Sequence, residues 1–492
     1  MAEPARAAVL PRPRPDPAPP LRTATKLWYG TGQLAEGLKN ECFALFLLFY
    51  YTAVLGLSGS LAALAILLAL LVDAVTDPLA GVISDRLESR WGRRHPFIFA
   101  AALPLGVFFY LAFSPPVGLD QWGLFTWLLG FAVATRLSMT LFHVPHLALG
   151  AELSSDYEDR TAIVTLQFLF ARIGHAIAGA LGLLWFMRAT PEYANGRFNP
   201  DAYPALAASF AVMMVATILL SGWRTRERIP WLVKPEPSAE RPGVLAAVFG
   251  DLVESLRNPS FRALFLGLML IYISWGVVTA LGLHLATYFW FVSNEELIVW
   301  GIATGIGIFA GLPFWLRASL RIDKKPTFVW GIAIFTVATA VPPLLKIAGL
   351  WPAVGSPAYV PLFALTTGLV AHFGIAATMV TGRSMMADVT DEDALRFGRR
   401  REGIFFGAAS FSAKASFGVG SLIAGLVIDL VGLVQGADPG SVGPSIVHGL
   451  GYTNASAILV LCGLSLAFFS RYRLDRERHA EIRAALAARA EV

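Results

Sequence analysis

The sequence predicts an all-α membrane protein of twelve transmembrane helices, folded as two pseudo-symmetric six-helix halves. Three observations predict it. Of the 492 residues, 56% are hydrophobic and only 15% charged, where soluble chains usually carry about a quarter charged. Apolar runs of membrane-crossing length recur from end to end, with a mean hydropathy of +0.60. Similar loop sequences return at matching places in the two halves of the chain. The alternating ten-residue pattern of a membrane barrel is absent. The pI of 9.2 comes from basic residues in short loops between apolar runs. That is a signature of topology, and no nucleic-acid partner is expected. Cys42 and Cys462 lie in apolar runs and offer neither a disulfide framework nor metal-ligand spacing. No H-E-x-x-H, G-x-S-x-G or nucleotide loop occurs, so no enzyme is expected, and no cofactor beyond a coupling ion.

Residues 1–25 are rich in Pro, Ala and Arg and lack a secretory core, so a disordered cytoplasmic tail is expected there. Spans are expected near 27–53, 59–85, 96–114, 121–149, 160–187, 202–222, 262–292, 297–317, 326–349, 357–387, 403–432 and 447–470. The loops after spans two, six, eight and ten hold Arg86 to Arg94, Arg224 to Arg228, Arg317 to Lys325 and Arg396 to Arg401. The opposite loops hold few basic residues, among them Arg188 and Arg197. This asymmetry places both termini in the cytoplasm, with the chain in the plasma membrane, or the inner membrane of a Gram-negative cell. The expected organisation is an N-terminal bundle over 26–222, a cytoplasmic linker over 223–260 and a C-terminal bundle over 261–471. An amphipathic surface helix is expected within the linker, and a solvated or surface helix in the tail over 472–492. The repeat is visible in the loops. G-A-E-L-S-S-D after span four answers M-A-D-V-T-D after span ten, and R-R-H-P-F after span two answers D-K-K-P-T-F after span eight. Two such repeats point to a transporter with its site between the halves.

The stretch from Val72 to Pro96 is the most informative. Asp73 and Asp77 lie four residues apart inside a membrane-length apolar helix, with Thr76 beside them. Ionised carboxylates at that depth are costly unless hydrated, paired or neutralised, and two together suit a small cation. Arg136, Thr140 and His143 share a face of span four, and Thr140 lies at the same depth as Asp77. Two carboxylates with the hydroxyls of Thr76 and Thr140 are a hard-oxygen set for sodium. The alternative is a fixed ion pair of Asp73 and Asp77 with Arg136 or Lys414. Lys414, in span eleven, is too deep to snorkel and can neutralise the pair until a cation arrives. His143, followed closely by Pro145, is a candidate for substrate or proton handling, His146 less so. In span one, Glu36 and Asn40 share a face, and Glu36 with Lys39 forms either an internal ion pair or part of a cavity. Gln167 in span five, and Tyr272, Trp275 and His284 in span seven, are further polar or aromatic candidates, open to a role at a sugar ring or in bundle packing.

D-A-V-T-D-P-L-A-G-V-I-S-D-R (Asp73 to Arg86), the M-A-D…R-E-G segment (Met386 to Gly403), Lys414 and K-L-W-Y-G-T-G (Lys26 to Gly32) resemble the glycoside–pentoside–hexuronide:cation symporters of the major facilitator superfamily, typified by the melibiose permease. The resemblance covers roughly Lys26 to Arg471. It implies the major facilitator fold, a cation site at Asp73, Thr76, Asp77 and Thr140, and Lys414 close to both cation and substrate. Where the melibiose-type permeases use aspartates, a tryptophan and an arginine for sugar, this chain has Gly37, His143, Leu147 and Gln167. The F-H-V-P run (Phe142 to Pro145) instead resembles the animal lysolipid symporters. The expected function is symport of a small organic solute, a sugar or glycoside, with sodium or protons, by a monomer. Expected substrate-side residues are Glu36, Gly37, Asn40, Arg136, His143, Gln167 and Trp275. The alternatives are a lysophospholipid or other amphiphile as solute, or a sensor that no longer transports.

Overall fold

The computed structural model describes residues 19–87, 89–232, 256–397 and 402–490, without side chains over 397–410. Its described residues contain helices and no strand. Among the described residues, eleven helices are long and apolar enough to cross a membrane. The first span completes twelve. It runs through Thr23–Thr31 and Gln33–Glu41, then widens into π-type turns at Cys42–Leu47 and Tyr50–Val54. Its charged cluster from Glu36 to Glu41 keeps it from reading as a plain apolar span.

The remaining spans are Gly59–Arg86, His95–Ala112, Gln121–Glu152, Tyr157–Phe186, Ala202–Thr225, Pro259–Phe289, Asn294–Ile322, Lys324–Ile347, a tenth from Tyr359 to Phe397, Glu402–Val431 and Pro444–Ser470. Two differences from the sequence expectation stand out. The segment from Met386 to Asp393, expected as a loop, is the last part of span ten. It stays helical because Arg396 donates to Glu392 one turn back (2.8 Å) and Lys324 pairs with Asp388 (2.6 Å). The tail forms a helix, Arg476–Ala490, that packs on span ten and buries Ile482, with His479 Nε2 3.0 Å from Asp391. It is a docked element. The amphipathic helix expected in the linker falls largely on residues 233–255, outside the described residues.

Helix packing repeats across the halves. Span one packs on five and six, two on four, and three on four and six. Span seven packs on eleven and twelve, eight on ten, and nine on ten and twelve. Detail repeats too. Span one ends with Leu55 and Leu57 N–H donating to the carbonyls of Tyr50 and Tyr51, and span seven with Trp290 and Val292 donating to Leu285 and Ala286. The residue between each pair has positive φ, Gly56 (79°) and Phe291 (54°). A serine then caps the next span, Ser58 for span two and Ser293 for span eight. The matched loop motifs pair their charges alike. Arg93 and Arg94 hold Glu152 at 2.8 and 2.9 Å, as Lys324 holds Asp388.

The halves meet along spans two and eleven and between spans one and seven. At the end of the bundle away from the termini the interface is sealed. Asp429 of span eleven accepts from Gly59 N (2.6 Å) and Ser60 N (2.8 Å) at the start of span two. Thr52 Oγ1 lies 2.8 Å from His284 Nε2, whose ring packs on Phe49 at 5.0 Å, and Phe49 in turn packs on Tyr288. Arg197, in the loop before span six, reaches across to Asn294 Oδ1 (2.7 Å), Thr287 Oγ1 (2.9 Å) and the Val292 carbonyl (2.9 Å). Burial lowers its guanidinium to about 10, so it remains charged at neutral pH. Hydrogen bonds between the halves gather at this far end and at Lys414.

Candidate functional site

Span two carries the carboxylates. Its first part is built from Ala and Leu, which hold a helix and pack closely on span eleven, where Gly418 lies against Leu67. Pro78 directly after Asp77 lacks an N–H, so the Ala74 carbonyl loses its helical donor beside the site. Asp73 is buried, whereas the Asp77 side chain is 30% exposed.

Thr140 Oγ1 lies 2.9 Å from Asp73 Oδ1 and 2.8 Å from Asp77 Oδ1. A hydroxyl has one proton, so it donates to one carboxylate at a time. Lys414 Nζ reaches both carboxylates from the other half, pairing with Asp73 Oδ2 at 2.9 Å and donating to Asp77 Oδ2. Arg136 Nη1 lies 3.3 Å from Asp73 Oδ2, its guanidinium over the ring of Phe43 at 5.5 Å. Asp73, Asp77, Thr140, Arg136 and Lys414 therefore form one cluster. Thr76 sits at its margin, since its hydroxyl donates to the Asp73 backbone carbonyl at 3.3 Å. Among the described residues no group of three or more His, Cys, Asp or Glu could hold a metal. A cation here would rest on two carboxylates and neighbouring hydroxyls.

The expected substrate-side residues separate in the structure. His143 lies in electrostatic reach of Glu36, Lys39, Asp77 and Lys414, and its Nδ1 is buried without a partner. Glu36 accepts from Asn40 Nδ2 and does not pair with Lys39. Trp275 packs on Phe417, one turn beyond Lys414 in span eleven, with ring centroids 5.4 Å apart. Gly37 is a packing contact. A Cβ there would run into the Ala171 carbonyl of span five, whose Gly174 faces it. Gln167 donates to the Tyr29 hydroxyl beside Gly150, toward the end of the bundle that carries the termini. Neither faces the carboxylates. His146 is a core residue, with Nδ1 2.9 Å from Gln33 Nε2, Nε2 3.0 Å from Ser221 Oγ and its ring stacked on Tyr29 at 4.2 Å.

One residue was left open by the sequence and another escaped it. Lys39, which spacing allowed either to pair with Glu36 or to stand in a cavity, belongs to the charged cluster, in electrostatic reach of Arg136, Asp73, Glu36 and Lys414. The signal was its depth in span one, three residues from Glu36, a spacing that also fits a local ion pair. Arg197 looked like one of the few basic residues on the sparsely charged side, and nothing in the sequence placed Asn294 and Thr287 around it.

Residues 28–476 match the family model described as MFS/sugar transport protein. The putative glycoside/cation symporter YagG of Escherichia coli (strain K12) is 27% identical, over 82% of each chain. The sodium-dependent lysophosphatidylcholine symporter 1 of Gallus gallus is 24% identical, over 95% of this chain and 89% of that one. The crystal structure of nucleoside transporter NupG (D323A mutant) superposes with a TM-score of 0.62 at 14% identity, over 90% of this chain and all of the other. Twelve spans in two matched halves, with a family match over nearly the whole length, lead to one conclusion: this chain belongs to the MFS/sugar transport protein family of multi-pass membrane proteins.

Proposed function

We propose that this protein is a secondary transporter that couples a small organic solute, a sugar or glycoside, to Na+ or H+ at Asp73 and Asp77. The observation that carries this reading is Lys414, which reaches both carboxylates from the opposite half. The Lys414 ammonium, together with the Arg136 guanidinium at Asp73, balances the two carboxylates and ties span eleven to span two. A cation taking its place frees the lysine and loosens that tie, so ion occupancy and the relation of the halves become one equilibrium. Thr140, within hydrogen-bond reach of both carboxylates, completes the oxygen set. The loop charges favour a cytoplasmic terminal end, so in this reading the sealed far end faces outside. In this reading the bundles over 26–222 and 261–471 rock as bodies within a monomer, joined by the 223–260 linker.

The test is solute uptake into proteoliposomes under an imposed Na+ or pH gradient, with a panel of glycosides. Uptake above equilibrium that follows one gradient and vanishes in Asp77→Asn supports the reading. Gradient-independent equilibration, or unchanged uptake in Asp77→Asn, contradicts it.

A second solute class, an amphiphile, is favoured by a specific feature. Spans two and eleven pack extensively, whereas the contact of spans five and eight gathers where Gly182–Phe186 meets span eight. An opening between five and eight beyond that point would admit a solute from the bilayer. The lysophosphatidylcholine symporter relative adds to this alternative.

A further inference from the structure

Span seven ends against a lysine of its own half. Lys346, in the last turn of span nine, sends its ammonium to the turn that follows Leu285–Phe289. It donates to the Phe289 carbonyl and to the Tyr359 hydroxyl (2.6 Å), and that hydroxyl donates to the Trp290 carbonyl (2.6 Å). Carbonyls at a helix C-terminus lack intrahelical donors, and a cation is favoured there. Four rings surround the same ammonium. The centroids of Phe289, Trp290, Phe291 and Tyr359 lie 4.9, 5.2, 5.0 and 5.1 Å from Nζ, all within cation–π range. Trp290 is fixed in turn by Trp351 and Phe363, at 5.5 and 5.0 Å. Among the described residues no carboxylate pairs with Lys346. Glu296, in electrostatic reach of Tyr359, accepts from Ser293 N instead (2.7 Å).

The repeat shows what this charge adds. In the N-terminal half the matching turn carries Gly56, which adopts positive φ freely. The tie there to span three is neutral, from Tyr51 Oη to the Ala112 carbonyl (2.8 Å). In the C-terminal half the same backbone is taken by Phe291 at φ 54°, which a phenylalanine keeps only where its surroundings fix it. Lys346 supplies that constraint, through the Phe291 ring and the two carbonyls before it. The stretch so fixed also receives Arg197 from the other half, at Thr287 Oγ1 (2.9 Å) and the Val292 carbonyl (2.9 Å). Thr287 and Val292 flank Phe289 to Phe291, so one segment lies between a cation of each half.

We propose that the end of span seven is a receptor for a primary ammonium, filled by Lys346, and that its filling sets the clasp with Arg197. With the cage full, Phe291 holds its left-handed backbone and Val292 presents its carbonyl to Arg197. With the cage empty, the turn relaxes and the clasp loosens. Lys346 is then a positioning residue for the far-end seal. This goes beyond the transport reading and needs neither the solute nor the coupling ion.

The experiment reads the far end of the purified full chain by labelling Thr52→Cys with a water-soluble maleimide, in a background lacking Cys42 and Cys462. Lys346→Met keeps most of the stem and removes the charge, so labelling should rise severalfold, whereas Lys346→Arg should stay near the level of the parent chain. In combination with Arg197→Ala, Lys346→Met should add little, because both act on one clasp. Lys346→Ala leaves room for the carbons and the nitrogen of propylammonium. Propylammonium chloride should lower its labelling toward the parent level, and 1-propanol or NaCl at the same concentration should not. None of the three should change labelling of the parent, whose cage is full. A cooperative thermal transition shows that each variant is folded. Should a variant fail to fold, a rise in the unfolding temperature of Lys346→Ala with propylammonium, and not with 1-propanol, tests the receptor in its place. The proposal is overturned if Lys346→Met labels as the parent does, if its effect adds in full to that of Arg197→Ala, or if propylammonium does no better than 1-propanol.

Discussion

Arg197 Nε donates to Asn294 Oδ1 at 2.7 Å, and Asn294 Nδ2 donates back across the interface to the carbonyls of Leu183 (2.9 Å) and Met187 (2.7 Å). The loop before span six and the start of span eight are thus clasped in both directions. The guanidinium has only neutral acceptors in this clasp, so it is held by geometry and released without breaking an ion pair. Each lost charged hydrogen bond costs about 1.5–3 kcal/mol when its partner is stranded. Arg197→Ala should therefore open the far end more often. Labelling of a cysteine at Thr52, in a background lacking Cys42 and Cys462, should rise severalfold with a water-soluble maleimide. Unchanged labelling would show that the clasp does not hold this end.

Asp429 makes a second far-end tie of a different kind. Its two oxygens cap the first turn of span two from the other half, where the helix dipole favours negative charge. Asp429→Ala should cost about 1 kcal/mol, and Asp429→Asn less, read as the drop in unfolding temperature. With Arg197→Ala the effect on far-end labelling should add, because the two ties share no partner.

Thr140 and Thr76 make a discriminating pair. Only Thr140 presents its hydroxyl to the carboxylates, while that of Thr76 is engaged by the Asp73 carbonyl. Thr140→Val should weaken cation binding by about tenfold, equivalent to about 1.4 kcal/mol, while Thr140→Ser preserves it. Thr76→Val should have less effect. Equal losses from the two valines, in a cation titration followed by thermal stability, would mean that Thr76 turns inward when the cation binds.

Gly37→Val and Gln167→Ala separate packing from solute binding. A side chain at Gly37 meets the Ala171 backbone, so span five must shift, at an overpacking cost of about 1–3 kcal/mol. Gln167→Ala removes a partner of the Tyr29 hydroxyl, which still donates to the His146 carbonyl at 2.8 Å. Gly37→Val should lower the unfolding temperature, and Gln167→Ala should leave solute affinity within about twofold, a difference under about 0.5 kcal/mol. A large affinity loss in a well-folded Gln167→Ala would return that residue to the solute side.

The fold was legible because a membrane allows few solutions. Apolar runs had to become helices, and the loop pairs R-R-H-P and D-K-K-P announced the repeat before the ion pairs to Glu152 and Asp388 were seen. Polar side chains inside the spans were legible as a set, not as a map. Helical spacing put Asp73 beside Asp77, and equal depth put Thr140 across from them. Spacing along span one could not say whether Glu36 meets Lys39 or Asn40, since both lie within one turn. Depth along span five could not say that Gln167 faces Tyr29. Met386 to Asp393 looked like a loop because its charges are paired by Lys324 and by the tail helix, which are distant in sequence. The match of Gly56 with Phe291 was hidden because a phenylalanine takes up the left-handed backbone that glycine adopts in the other half.

The central claim is that Asp77 and Lys414 form an exchangeable site and not a fixed ion pair. The most direct measurement is thermal stability of wild type and Asp77→Asn against Na+ at fixed ionic strength and two pH values. A ligand of the folded state raises stability as RT ln(1 + [L]/Kd). The account predicts a rise specific to Na+, or to protons as pH is lowered, that disappears in Asp77→Asn. If wild type and Asp77→Asn respond identically under every condition, the carboxylates with Lys414 are a structural ion pair and the coupling site lies elsewhere.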